Sequence, residues 1–279
     1  MTSHPYQTVL ITGCSSGIGA CLAKKLHEQG HNVLATARNK EKLSELQNTG
    51  ISTFSLDVTS QQSIDELVQT LSDQNTEIQA IINNAGYAAM GPMAELPMED
   101  LEKQLSTNVT GIVRVVQAFS KDMITKKAGL IVNIGSVSGI LTTPFSGAYC
   151  ASKAAVHCLT DAMRMELSPF NINVVDVRPG AIESSFGDNA AAGTEKNKQN
   201  FKLYQSIYQQ IMKRANASQD NPTPTDEFCD KLIDGCFTNT PKPIQYIGNG
   251  STAFPLMKRL LPTKLLDQIL CKKFGLNQL

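Results

Sequence analysis

Short runs rich in Val, Ile, Leu and Thr alternate with helix-length amphipathic segments along the chain, and this alternation restricts the fold more than any other feature. Residues 8–12, 32–36, 51–56, 78–82, 130–134, 172–177 and 243–247 read as strands, because branched aliphatic residues pack well on a pleated sheet. Residues 18–29, 40–47, 63–71, 101–124, 148–167 and 225–237 read as helices. In the first of these, Ile18, Leu22 and Leu26 share a face and Gly30 is placed to end the helix. Strands joined through helices are connected by right-handed crossovers, which build a parallel sheet. The strand runs are apolar on both faces, as a sheet covered by helices on each side requires. The pattern predicts one doubly wound α/β domain over residues 1–279, with a seven-stranded parallel sheet and a ligand at the carboxyl ends of its strands.

Composition excludes other classes. Lys and Arg number 25, as do Asp and Glu, and the net charge of +0 argues against a nucleic-acid binder. With 41% hydrophobic and 18% charged residues, the chain is not a disordered one. No run approaches the roughly 20 apolar residues of a membrane-spanning helix. Residues 1–7 lack the basic-then-apolar pattern of a signal peptide, so the expected location is cytoplasmic. The 7 cysteines are odd in number and contain no C-x-x-C pair; they read as free thiols rather than a disulfide framework or a metal site.

The turn after the first strand is Gly13-Cys14-Ser15-Ser16-Gly17-Ile18-Gly19. Gly13 permits a tight turn, Gly17 lets backbone approach a pyrophosphate, and Gly19 lets the helix pack on the sheet. The helix N-terminus then offers free N–H groups and a positive dipole end to an anion. An acid after the second strand would hold the adenosine ribose of NAD; here Ala37-Arg38 stands instead. Arg38 suits a ribose 2′-phosphate through a bidentate contact, which favours NADP(H) over NAD(H), the alternative being a solvated surface arginine.

Tyr149 and Lys153 share a helix face at i and i+4, and Ser136 lies upstream just past the fifth strand. Moving a hydride between a nicotinamide and a carbonyl carbon requires a proton at the oxygen. A phenol can carry it, although its ordinary pKa is about 10, and bringing that near 7 costs about 4 kcal/mol. A cation about 4 Å away at an effective dielectric near 20 supplies about that much. Lys153 is expected to be that cation, and Ser136 to hydrogen-bond the substrate oxygen as charge develops. His157 continues the same face and reads as a packed or surface histidine, and Asp176 with Arg178 as a structural strand-end pair.

With Thr12-Gly13-x3-Gly17-Ile18-Gly19, Asp57-Val58, Asn83-Asn84-Ala85-Gly86, Asn108, Ser136, Tyr149-x3-Lys153 and Pro179-Gly180 in this order, the chain resembles the short-chain dehydrogenase/reductase family over essentially its full length. It looks most like NADP(H)-preferring members that reduce hydroxysteroid, retinoid or acyl-dihydroxyacetone-phosphate substrates. The resemblance implies a Rossmann-type fold and further roles. Asp57 and Val58 would border the adenine, and Asn84, Ala85 and Gly86 would line the cofactor. Asn108 would hold a water that links Lys153 to solvent, and Lys153 would also bind the nicotinamide ribose. The loop after Pro179-Gly180, with Ile182, would touch the carboxamide; the family often has a Thr there, and Ser184 keeps the hydroxyl.

Met90, Met93, Leu141, Phe145, Ile182 and Phe186 are candidate walls of a hydrophobic substrate site. Residues 182–222 form the expected substrate loop and lid: 187–200 read as a polar, Ala-rich mobile excursion, and 201–214 as a lid helix or a helix docked on the surface. Residues 255–279 form a basic amphipathic extension that could lie on a membrane surface, cover the pocket or pack on the domain. The long helices at 101–124 and 148–167 carry apolar residues on more than one face, and relatives dimerise through such helices, so a homodimer or homotetramer is expected. The expected function is an NADP(H)-dependent oxidoreductase that interconverts carbonyl and alcohol on a hydrophobic, lipid- or steroid-like small molecule. An NAD-linked alcohol dehydrogenase and a catalytically silent nicotinamide-binding regulator are the alternatives.

Overall fold

Successive residues of a strand point to opposite faces, and the first strand, β1 (Thr8–Thr12), has apolar residues on both. Val9 and Ile11 enter one core and Leu10 the other, all fully buried. The computed structural model describes residues 6–279, so the part of the leader-free reading that concerns residues 1–5 lies outside the described residues. β2 (Asn32–Ala37), β3 (Ser52–Ser55), β4 (Ala80–Asn83), β5 (Gly129–Ile134), β6 (Ile172–Pro179) and β7 (Ile244–Ile247) complete one sheet of order β3-β2-β1-β4-β5-β6-β7. Every pairing is parallel. The order reverses between β1 and β4, which opens a crevice at their carboxyl ends.

The helices are α1 (Gly17–Glu28), α2 (Ser44–Asn48), α3 (Gln61–Asp73), α4 (Met98–Leu105), α5 (Gly111–Phe119), α6 (Lys121–Lys126), α7 (Gly147–Leu167), α8 (Phe186–Lys196), α9 (Tyr208–Ala215), α10 (Thr225–Cys236), α11 (Ala253–Leu260) and α12 (Thr263–Lys273). Leu22 and Leu26 of α1 and Phe228 and Leu232 of α10 cover one face of the sheet. Ile64 and Leu67 of α3, Ile112 and Val115 of α5 and Val156 of α7 cover the other. The two layers bury a continuous apolar core on each side, the main favourable contribution to folding. All 7 cysteines are free. Among the described residues no helix is long and apolar enough to cross a membrane.

The single helix expected over 101–124 is interrupted. Between α4 and α5 the chain makes a π turn, Ser106–Thr110, in which the Gly111 N–H reaches back five residues to the Ser106 carbonyl. The Thr110 hydroxyl donates to the same carbonyl at 3.0 Å, so side chain and backbone compete for it. α5 must also start on glycine, because a Cβ at Gly111 would stand 2.8 Å from Val58 Cγ2. A second break, at Ser120, separates α5 from α6.

The stretch 187–200 is no irregular excursion; it folds as α8 and a short 3₁₀ turn, Lys198–Asn200. Its alanines favour a helix, and Ala190 anchors it, 1% exposed against Met90 and Tyr149. The helix expected from 201 begins later, with a 3₁₀ turn at Gln205–Ile207 leading into α9. Fully buried Phe201, with Ile207, Tyr208 and Ile211, joins Leu141, Phe145, Leu266, Leu270 and Phe274 in a third apolar cluster. α12 therefore packs on α9, and α9 on the segment leading into α7.

Candidate active site

The loop between β1 and α1 is built for backbone approach. Gly13 and Gly17 have φ of +75° and +55°, in the left-handed region that favours glycine. A Cβ at Gly13 would meet Ala85 Cα at 2.8 Å, and one at Gly19 would meet the Gly13 carbonyl at 2.3 Å. Asn84 locks the loop to the end of β4: its Nδ2 donates to the carbonyls of Thr12 (3.0 Å) and Gly13 (3.1 Å), and its N–H donates to Thr12 Oγ1 (3.1 Å). The Ala85 N–H shares that hydroxyl at 3.0 Å. Ser16, before α1, makes no side-chain cap, and no acid stands in the first turn. Those N–H groups therefore remain available, and the cradle fits a pyrophosphate. Ser15 is exposed, and Ser16 Oγ pairs with Ser185 Oγ at 3.0 Å, tying the loop to the start of α8.

The other predicted cofactor positions ring this cradle. Arg38 is exposed at the carboxyl end of β2 and forms no ion pair among the described residues. Asp57 uses its carboxylate locally, accepting from the Thr59 N–H (2.9 Å) and hydroxyl (2.7 Å), and Val58 is buried. A Cβ at Gly86 would touch Asn108 Oδ1 at 3.2 Å. Pro179 ends β6, and the Gly180 N–H continues the sheet to the Ile247 carbonyl at 2.9 Å. Ile182 is buried beside β7, and Ser184 Oγ accepts from the Phe186 N–H at 3.4 Å.

Across the crevice, Ser136, Tyr149 and Lys153 come together, all buried. Ser136 follows β5 and accepts at Oγ from the Ser138 N–H at 3.1 Å. The Ser136 hydroxyl faces the Tyr149 phenol and favours its ionised form. Burial pushes that phenol up to about 12, while Ser136 and the nearby Arg214 charge pull the other way. Lys153 does not supply the expected depression: its Nζ is 5.9 Å from the Tyr149 ring centroid and donates to the Ile134 carbonyl at 2.7 Å. Burial brings the Lys153 ammonium down to about 8, partly offset by Asp176.

Asn108 sits in the π turn, 1% exposed. Its Oδ1 accepts from the Tyr87 N–H (3.1 Å), and its Nδ2 donates to the Tyr87 carbonyl (3.0 Å) and to Ser152 Oγ (3.2 Å). The turn thereby clamps the segment after β4 to α7, beside Lys153; π turns recur at such sites. His157 is packed, its Nε2 accepting from the Ser136 N–H at 3.5 Å, and burial lowers it to about 4, so the ring is neutral. Asp176 pairs with Arg178 at 2.6 Å.

The expected substrate walls divide. Met90 packs with Tyr149, and the Phe186 ring lies 5.5 Å from the Tyr149 ring. Leu141 and Phe145 belong to the cluster under α9 and α12. Met93 is 51% exposed and lies across the start of α7, against Gly147, so it stands at the rim. The sequence reading missed Arg214. It is buried on α9, where Nε donates to Thr143 Oγ1 at 2.6 Å. The signal was present, since 207, 208 and 211 form an apolar stripe whose next turn falls on 214. Two open surface hollows, one lined by Arg164, Ser168 and Pro243 and one by Leu71, Glu77 and Lys121, lie at the other end of the sheet.

Comparison with known proteins agrees with this architecture. Residues 7–195 match the short chain dehydrogenase family. The NADPH-dependent 1-acyldihydroxyacetone phosphate reductase of Schizosaccharomyces pombe is 39% identical over 178 residues, 63% of this chain and 60% of that protein. The 3-ketodihydrosphingosine reductase of Bacteroides thetaiotaomicron is 35% identical over 184 residues, 66% of this chain and 66% of that protein. The match thus spans less than two thirds of either relative. A crystal structure of a short-chain dehydrogenase from Streptomyces avermitilis superposes with a TM-score of 0.77 at 23% identity, covering 100% of this chain and 98% of that one, which is a likeness of fold.

Proposed function

The chain belongs to the short-chain dehydrogenase family, and from that premise we propose that it is an NADP(H)-dependent oxidoreductase interconverting a carbonyl and an alcohol on a hydrophobic, lipid-like small molecule. The observation that carries the reading is the meeting of Ser136, Tyr149 and Lys153 at the carboxyl end of β5, across the crevice from the glycine cradle. The cradle would hold a nicotinamide dinucleotide by its pyrophosphate, and that cofactor would supply or accept the hydride. The residues supply the rest. Tyr149, with its phenol near 12, holds its proton at neutral pH and donates it to a carbonyl oxygen during reduction. Ser136 Oγ hydrogen-bonds the same oxygen as negative charge grows on it. Lys153 holds its ammonium 5.9 Å from the centre of the Tyr149 ring, and Asn108 ties the segment after β4 to α7.

Arg38 supports the preference for NADP(H), being an exposed cation without an ion-pair partner where an NAD-specific chain would place an acid. The relatives named for acyldihydroxyacetone phosphate and ketodihydrosphingosine support a lipid-like substrate, as do the apolar residues around Tyr149. The test is NADPH and NADH oxidation against a panel of long-chain ketones and aldehydes. Tyr149→Phe is expected to lower turnover by about 100- to 10,000-fold with NADPH still bound. Arg38→Asp is expected to lose the NADPH preference. Tight NADPH binding with no turnover of any carbonyl in the wild type would favour the regulatory alternative, unchanged turnover in Tyr149→Phe would remove Tyr149 as the proton donor, and a wild-type preference for NADH would favour the NAD-linked alternative.

The carboxyl-terminal helices extend the proposal to a peripheral contact with an anionic lipid surface. Leu256, Leu260, Leu265 and Ile269 are exposed on α11 and α12, interleaved with Lys258, Arg259, Lys264 and Lys272. Co-sedimentation with phosphatidylserine vesicles, weaker with neutral ones, is expected; protein left in the supernatant in both cases would refute the contact. We also propose self-association as a dimer or tetramer through α5 and α7, where Ala151 and Met165 remain exposed.

A further inference from the structure

The described residues include two buried arginines near the candidate site, and they are treated differently. Arg178 is paired, Nε to Asp176 at 2.6 Å and a terminal nitrogen to the Tyr246 hydroxyl at 3.0 Å. Arg214 is 9% exposed and forms no ion pair among the described residues. Among the described residues, only Nε of its five guanidinium N–H donors has a protein partner, Thr143 Oγ1 at 2.6 Å, and the terminal nitrogens keep contact with solvent. The two terminal nitrogens are left to bond elsewhere. An arginine cannot discharge itself by losing a proton, and a buried charge without a counter-ion is costly. An anionic ligand that reaches those nitrogens would supply the counter-charge that the protein does not.

Its position says where that charge would arrive. One turn before it on α9, Ile211 packs with Leu141, Phe145 and Phe201. One residue after it, Ala215 packs with Tyr149, Met90 and Ala190. Arg214 therefore stands where the two apolar clusters around the candidate site meet. Thr143 fixes the inner edge of the guanidinium and is itself held by Ser146 Oγ at 2.9 Å, so the fork is aimed rather than free to swing. The nearest titratable groups that bear on it are the Tyr149 phenol and the Cys150 thiol, and neither is a carboxylate.

We infer that Arg214 is the anion receptor of the substrate site, so that the substrate is an amphiphile carrying an apolar chain, a carbonyl or alcohol carbon within reach of Tyr149, and an oxyanion group gripped by the guanidinium. The inference rests on the function proposed above for this site and narrows its substrate class. Phosphate monoesters and carboxylates share the required chemistry, since both accept two parallel N–H bonds from one guanidinium. A neutral hydrophobic ketone that displaced water from the terminal nitrogens would give the guanidinium no anion in exchange, and is expected to bind less well.

The test is calorimetric titration of the NADP⁺-loaded protein with octyl phosphate, octanoate and 1-octanol. At least one anion is expected to bind about tenfold or more tightly than the alcohol. The preference should vanish in Arg214→Met and survive in part in Arg214→Lys. Which anion wins identifies the head group. Equal affinity for all three probes in the wild type would overturn the inference, as would a preference that persists in Arg214→Met. The wild-type comparison decides without any variant, and thermal melting verifies that both variants fold. Because binding is read without turnover, the two ideas fail separately. Anion preference with no turnover of any carbonyl would count against the proposed reaction alone. Turnover of neutral ketones without anion preference would count against the receptor alone.

Discussion

The crevice has two walls built by different means. On the cofactor side, backbone does the shaping: Gly13, Gly17 and Gly19 bring main chain against main chain, and Asn84 fastens the loop to β4 through carbonyl groups. Behind the proposed substrate side, side chains do it: Phe201, Ile211, Leu266 and Phe274 cluster with Leu141 and Phe145, and Arg214 on α9 is bonded to Thr143. A backbone cradle suits a ligand recognised by a charged group that any sequence can bind, whereas a wall of side chains suits one recognised by shape.

This contrast can be broken by experiment. Phe201→Ala should have the largest effect, removing a fully buried ring that also packs on Gly91. Loss of about 3–5 kcal/mol of stability is expected, measured by chemical denaturation, together with a raised KM for the carbonyl substrate and unchanged affinity for NADPH. If NADPH affinity fell as well, the two walls would not be independent. Gly19→Ala should act in the opposite sense. Its Cβ would stand 2.3 Å from the Gly13 carbonyl, and relieving such overpacking costs about 1–3 kcal/mol. Fluorescence titration is expected to give weaker NADPH binding by about tenfold or more, with the octyl phosphate contact at Arg214 retained. Normal NADPH affinity in this variant would mean that the cradle is not where the pyrophosphate lies.

The smallest expected effect concerns pH and belongs to both walls. Burial lowers the Lys153 ammonium to about 8, so the charged form is lost as pH rises through that value. Reductase kcat/KM should therefore be level near neutrality and fall above about 8, by no more than tenfold per pH unit. A profile that stays level to pH 10 would show that the charge of Lys153 is not used.

The two walls also differed in how far the sequence announced them. All the strands were legible, because Val, Ile and Leu filling both faces of a short run leave few options. The glycine loop was legible for the same kind of reason, since its spacing is a requirement on backbone. The break at Ser106–Thr110 was not. It depends on the Thr110 hydroxyl capturing the Ser106 carbonyl and on Asn108 clamping Tyr87, contacts that leave no mark on hydrophobic periodicity. α8 was read as irregular because its anchor is small: Ala190 has no visible hydrophobic weight until Tyr149 lies against it. The Tyr149–Lys153 spacing is plain in the sequence, yet its electrostatics are not, because the ammonium's partner is the Ile134 carbonyl, which no side-chain spacing reveals. Arg214 is not legible as a buried group, because a charge near a helix end reads as solvated until the fold turns that face inward.

The stacking of α12 on α9, and of α9 on Leu141 and Phe145, has a consequence for synthesis. β1, α1 and β4 leave the ribosome early and can begin to assemble the cradle from local contacts. Leu141, Phe145, Phe201 and Ile211 must wait for Leu266, Leu270 and Phe274, and until then they face water. A chain that has emerged only as far as α10 lacks the residues that cover this flank, and is expected to expose it. Stop codons or fusions that intrude on α12 would prolong that exposure, and would be felt first as aggregation.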